Sequence, residues 1–182
     1  MKNSWRAHFS VILLFLAITL IQVSPLLYHI TDAIPFTHMP KEGMEVGGLG
    51  PADALQVYYK FWLFKDSIVG ETPLLSDNYK FSVGDVDRIF SLQLLPLSLL
   101  FFIFSFGGGA FAYNMTVIVT TILAGYCSYL LVRYITSSRA AGITAGLIFI
   151  LIPYNYAQTV GGHPNGFLIF LLPLALYLFE RS

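Results

Sequence analysis

Residues 89–132 read IFSLQLLPLSLLFFIFSFGGGAFAYNMTVIVTTILAGYCSYLLV, forty-four positions without an Asp, Glu, Lys or Arg. A second uncharged window covers 140–179 and a third starts at Ala7 and ends just before Asp32. A soluble globular chain cannot carry such windows and stay dissolved, so composition puts this one in a bilayer. Fourteen of the twenty charged residues fall in 31–88, nine acids against five bases, a balance of −4. The rest (Lys2, Arg6, Arg133, Arg139, Glu180, Arg181) sum to +4. The formal net charge of zero therefore hides a separation, and that separation orients the molecule.

At 182 residues and 56% hydrophobic, the chain has room for a few spans and one modest external segment. The first span reads 9–28, behind a basic head carrying Lys2 and Arg6. It is long for a cleaved signal peptide, and Val23-Ser24-Pro25 is a poor cleavage site, so it reads as a retained anchor. Cys127 is the only cysteine, so no disulfide within the chain is available.

The remaining apolar material divides at Gly107-Gly108-Gly109, at Arg133 to Arg139, and at Gly161 to Gly166. If all four resulting segments crossed after an N-in first span, Arg133, Arg139 and Arg181 would land outside, against the positive-inside tendency. If 89–106 stays out, all three join Lys2 and Arg6 in the cytoplasm. Pro96 and the glycine triplet bracket that segment, as suits a broken or re-entrant element. The predicted fold is an all-α integral membrane protein with four transmembrane helices: 9–28, 111–132, 140–158 and 167–179. An external loop, 31–110, holds an interfacial helix, 53–69, and the apolar juxtamembrane or re-entrant segment 89–106. The predicted location is the plasma membrane, multi-pass, with the N-terminus cytoplasmic.

Within the loop, Pro51-Ala52-Asp53 reads as a helix start, with an acid near the positive end of the dipole. The run from Asp53 to Val69 lacks Pro and Gly, and Gly70 follows as a C-cap. Asp53, Gln56, Lys60 and Ser67 share one stripe at about 100° per residue. Five aromatics between Tyr58 and Phe64 surround it, as befits a helix at the membrane–water boundary. Asp53 is the candidate catalytic carboxylate; as a plain helix-start charge it would need no chemistry. Asp85 and Asp87 have a spacing that can hold a divalent cation through oxygen, although the same pair is common in ordinary loops. Asp32 is a rival carboxylate, or simply a solvated interfacial charge.

The second external element is Gly161-Gly162-His163-Pro164-Asn165-Gly166. His163 and Asn165 could donate to a phosphate or sugar at the surface, while Pro-Asn-Gly is also plain turn chemistry. With Lys60 they form the candidate substrate-binding set. Gly142 and Gly146 put small residues on one side of the third span, where another helix can approach closely. No phosphate-binding loop, dinucleotide fingerprint or Cys/His cluster occurs, and no basic face suits nucleic acid.

The order of these elements resembles the N-terminal part of the GT-C superfamily of polytopic glycosyltransferases. The resemblance rests on Asp53 opening an interfacial helix twenty residues before Pro73, the basic turn LLVRYITSSR (130–139), Pro153-Tyr154, the Gly-His turn, and Phe179-Glu180-Arg181. It implies a polyprenyl-phosphate-linked sugar donor in the membrane lipid, an external carboxylate as base or metal-site acid at Asp53, and donor-phosphate contacts from His163 and Asn165. Ala54 stands where such enzymes usually carry a second acid, and their spans are more numerous, so the chain reads as the front portion of a longer enzyme. The competing expectation is a non-catalytic multi-pass protein, an assembly partner or subunit in an envelope or transport complex, docking through Gly142 and Gly146.

Overall fold

Helix α5, Gly109–Thr136, is the element on which the others are arranged. A computed structural model of the chain describes residues 2–35, 52–70, 94–160 and 163–182. Among these, every regular element is helical and no strand occurs. Before α5 come α1 (Lys2–Gln22), the short α2 (Ser24–Leu27), α3 (Ala52–Val69) and α4 (Leu95–Phe104), which ends in a 3₁₀ turn, Ser105–Gly107. After it come α6 (Arg139–Leu151), α7 (Pro153–Val160), α8 (Pro164–Leu168) and α9 (Leu171–Arg181).

Two of these are long and apolar enough to cross a membrane, α1 and α5. At 1.5 Å per residue they measure about 31 and about 42 Å, against a hydrocarbon core of about 30 Å. Helix α4, at about 15 Å, spans half of that, and α6 about 20 Å. Around α1, Trp5, Phe9, Leu13, Leu14 and Ile21 are exposed, an apolar surface. In α5, Thr116, Thr120 and Thr121 each donate to the carbonyl four residues back, at 2.8 Å.

Directions follow from side-chain contacts. His8, near the start of α1, meets Arg133, near the end of α5, whereas Asn114, near the start of α5, donates to the carbonyls of Ile30 and Ala33 at 2.9 and 2.7 Å. So α1 and α5 are antiparallel. Helix α6 folds back on α5 through a two-serine turn. Ser137 takes the left-handed conformation (φ 55°), and Ser138 accepts from the Ala141 N–H as the N-cap of α6. The unit α8–α9 runs parallel to α5, with Phe167 on Tyr113 near one end and Tyr177 on Tyr134 near the other.

The α5–α6 crossing is close because both helices lack side chains there. A Cβ on Gly142 would stand 2.8 Å from the Tyr129 carbonyl, and one on Gly146 only 2.6 Å from that of Gly125. Association in lipid depends on this kind of backbone approach, since apolar burial drives little there. The neighbour admitted by Gly142 and Gly146 is α5 of the same chain, with Phe15 of α1 against Gly146.

The third and fourth apolar segments are not single rods. Residues 140–158 break after Leu151: Ile152 is extended (φ −55°, ψ 123°) because Pro153 follows and disfavours a helical residue before it. Pro153 also lacks the N–H that would bond the Phe149 carbonyl four residues back. The Asn155 side chain replaces it, donating to that carbonyl at 2.6 Å. Gln22 from α1 donates to the next one, Ile150, at 3.4 Å. Residues 167–179 divide between α8 and α9 at Ile169 and Phe170. Likewise α1 stops at Gln22, and α2 restarts with Pro25 in its first turn, so 9–28 is a long helix plus a short one.

Candidate functional site

At the end of the bundle where α5 begins, three aromatic rings meet. Phe61 of α3, Tyr113 of α5 and Phe167 of α8 are all fully buried, with centroids 5.8 to 6.3 Å apart. Leu97 and Phe101 of α4 close the cluster. Helix α3 reaches it with the stripe Ala54, Val57, Phe61 and Phe64, buried at helical spacing. Its opposite side, at Leu55 and Gln56, is exposed. The first turns of α3 lie over the glycine triplet: Tyr58 packs on Phe101 and Tyr113, and its hydroxyl occupies the space a side chain on Gly109 would need. Gly108 makes the turn itself at φ 93°, a conformation that suits glycine.

The elements carrying the sequence-predicted groups thus share one end of the molecule. Asp53 lies in the first turn of α3, one residue from the start of the observed helix, which ends at Val69 with Gly70 at φ 91°. Lys60 is half-buried one residue before Phe61. His163 is the N-cap residue of α8 and half-buried; its N–H donates to the Gln158 carbonyl and its own carbonyl accepts from the Gly166 N–H, both at 2.9 Å. Asn165 is the second residue of α8, two positions before Phe167. Asp85 and Asp87 lie outside the described residues, and among those described no cluster of three metal-ligating side chains occurs. Asp32, at the same end, pairs with exposed His29 at 3.2 Å. An exposed pair of this kind is worth little in stability.

Beside this cluster, between α1, α5, α6, α7 and α8, is a narrow cavity of about 20 Å³, water-sized. Thr19, Gln22, Thr121 and Asn155 give it uncharged hydrogen-bonding walls, and Gly166 and Ile169 complete it. The Thr19 hydroxyl is buried without a protein partner among the described residues. Sequence reading passed over Thr19 and Gln22 because an isolated Thr or Gln within an apolar run carries no spacing signal. Asn155 had one: it follows a proline by two residues, where a carbonyl must lose its donor.

No family model, characterised protein or solved structure matches the chain.

Proposed function

We propose that the chain is a membrane glycosyltransferase, or part of one, moving a sugar from a polyprenyl-phosphate-linked donor to an acceptor hydroxyl at the external face of the plasma membrane. The observation that carries this reading is the meeting of α3 and α8 through Phe61, Tyr113 and Phe167, which brings the Asp53 helix and the His163 turn to one end of the bundle.

In this reading the chain crosses four times: α1, α5, α6 with α7, and α8 with α9, the last two kinked at the breaks described. The alternating directions support that path, and so does the gathering of Arg133, Arg139 and Arg181 at the end where α1 starts. The N-terminus is then cytoplasmic. Helix α4 stays on the external side, its short length suiting a re-entrant or surface element. Asp53 removes the proton of the acceptor hydroxyl as that oxygen attacks the anomeric carbon. The bond from that carbon to the phosphate oxygen breaks, and polyprenyl phosphate leaves with the electron pair. Lys60, His163 and Asn165 are the groups assigned to the donor phosphate. A divalent cation, if held by Asp85 and Asp87, would supply charge neutralisation to a phosphate.

The test is transfer of labelled sugar from polyprenyl-phosphate donors by membranes containing the protein. A positioned base contributes typically 10²–10⁴-fold, so Asp53→Asn is expected to lower the rate by about that factor while insertion is unchanged. Transfer at the wild-type rate by this variant sinks the assignment.

A further inference from the structure

The opposite end of the bundle holds a second site that sugar transfer does not use. Here α1 starts and α5 and α9 end, around an open cleft of about 480 Å³ lined by His8, Leu130, Arg133, Tyr134, Ser137 and Tyr177. Arg133 Nη1 donates to His8 Nε2 at 2.9 Å and to the Tyr129 hydroxyl at 2.7 Å. Because a guanidinium only donates, His8 Nε2 accepts, so the imidazole is neutral and its Nδ1–H donates to the Tyr126 hydroxyl, 2.9 Å away. The Nε and Nη2 donors of Arg133 have no protein partner among the described residues. No carboxylate is within ion-pair distance of Arg133 among the described residues, and Glu180 is the only acid in the chain outside 31–88.

One further cation reaches the cleft and another lies outside its wall. Arg181 donates to the Tyr177 hydroxyl at 3.5 Å, and Arg139 donates to the Ala7 carbonyl at 3.3 Å. The rim then passes into apolar surface: Ile135, Leu178 and Phe179 are all exposed. A fixed guanidinium with unused parallel donors, aromatic walls and an adjoining apolar flank matches a phosphodiester joined to acyl chains.

We propose that this cleft binds the headgroup of an anionic phospholipid, with Arg133 forking onto the phosphate and Arg181 adding the second charge. The proposal rests on the membrane reading and is independent of the chemistry proposed for the far end.

The test uses the full chain purified in mild detergent and offered equal amounts of phosphatidylglycerol and phosphatidylcholine with the same acyl chains. Bound lipid is counted by native mass spectrometry, and alkaline extraction of the source membranes reports insertion separately. Wild type is expected to retain phosphatidylglycerol about tenfold over phosphatidylcholine. Arg181→Gln, which removes a cation bonded only to Tyr177, is expected to cut the preference about fivefold, the equivalent of roughly 1 kcal/mol. Arg133→Gln should bring it near parity, and Arg133→Lys, which keeps the charge without the fork, should fall between. Arg139→Gln, outside the cleft wall, should leave it intact. Equal losses from Arg133→Gln and Arg139→Gln indicate diffuse surface charge and overturn the cleft. No preference in wild type, with insertion intact, overturns it too, as does inorganic phosphate displacing the lipid and stabilising the protein equally well.

Discussion

Asn155 shows how one side chain lets an apolar chain break its helix. Pro153 leaves the Phe149 carbonyl without its backbone donor, and a buried carbonyl left unsatisfied is costly. The Asn155 amide fills the gap at 2.6 Å. Asn155→Ala is therefore expected to destabilise the protein by about 1–3 kcal/mol, the usual cost of orphaning a buried polar group. The measurement is the unfolding midpoint in mixed detergent micelles. Specificity comes from a double-mutant cycle: in a Pro153→Ala background the backbone N–H returns, so the same Asn155→Ala change should cost much less. Equal costs in both backgrounds would show that Asn155 acts by packing alone. The proline was visible in the sequence, yet the predicted span 140–158 ran through it. Its partner carried only a faint signal, because an Asn two residues later reads equally well as boundary polarity.

Among the elements, α3 was the most legible and α6 to α9 the least. Helix α3 has a proline before it, a glycine after it and no breaker between, so local chemistry fixes both ends. The last two apolar segments read as rods because hydropathy registers apolar composition but not the turn at Ile169 and Phe170. The small residues of α6 were visible, yet what they face depends on the fold. Gly146 meets the backbone of Gly125 and the ring of Phe15, so it locks α6 to α5 and α1 together. Gly146→Ala is expected to cost about 1–3 kcal/mol through overpacking, since the new methyl would meet the Phe15 ring and also the Gly125 carbonyl, which is backbone and cannot rotate away. Thr144→Ala, on the exposed side of the same helix, should be near neutral. If the two variants unfold at the same detergent fraction, the close α5–α6 crossing is wrong. Relief is available at the other end of the hairpin. Ser137 holds φ 55°, which costs an L-residue roughly 1–2 kcal/mol, so Ser137→Gly should add up to about 1 kcal/mol of stability after its own entropy cost and raise the midpoint accordingly.

For the whole molecule, the two ends of α5 differ chemically, and their sidedness decides the sugar-transfer proposal. One end gathers Arg133, Arg139, Arg181 and the start of α1; the other gathers α3, α4, α7 and α8. Charge patterning in the sequence anticipated the basic end, because Arg133, Arg139 and Arg181 already stood apart from 31–88; six of the nine acids of 31–88 lie outside the described residues. What the sequence lacked was the joint between α3 and α8, which is made by aromatic rings more than a hundred residues apart. Single cysteines in a Cys127→Ala background test the arrangement directly. Gln56→Cys on α3 and Tyr154→Cys on α7, both exposed, are expected to react with a membrane-impermeant maleimide on intact cells. Ser137→Cys, exposed in the α5–α6 turn, should react only after the cells are opened. The inverse pattern would turn the arginine cleft outward and leave Asp53 facing the cytosol, where the proposed external acceptor would never reach it. Reaction at 56 but not at 154 would part the carboxylate helix from the histidine turn, and with it dissolve the composite site on which sugar transfer depends.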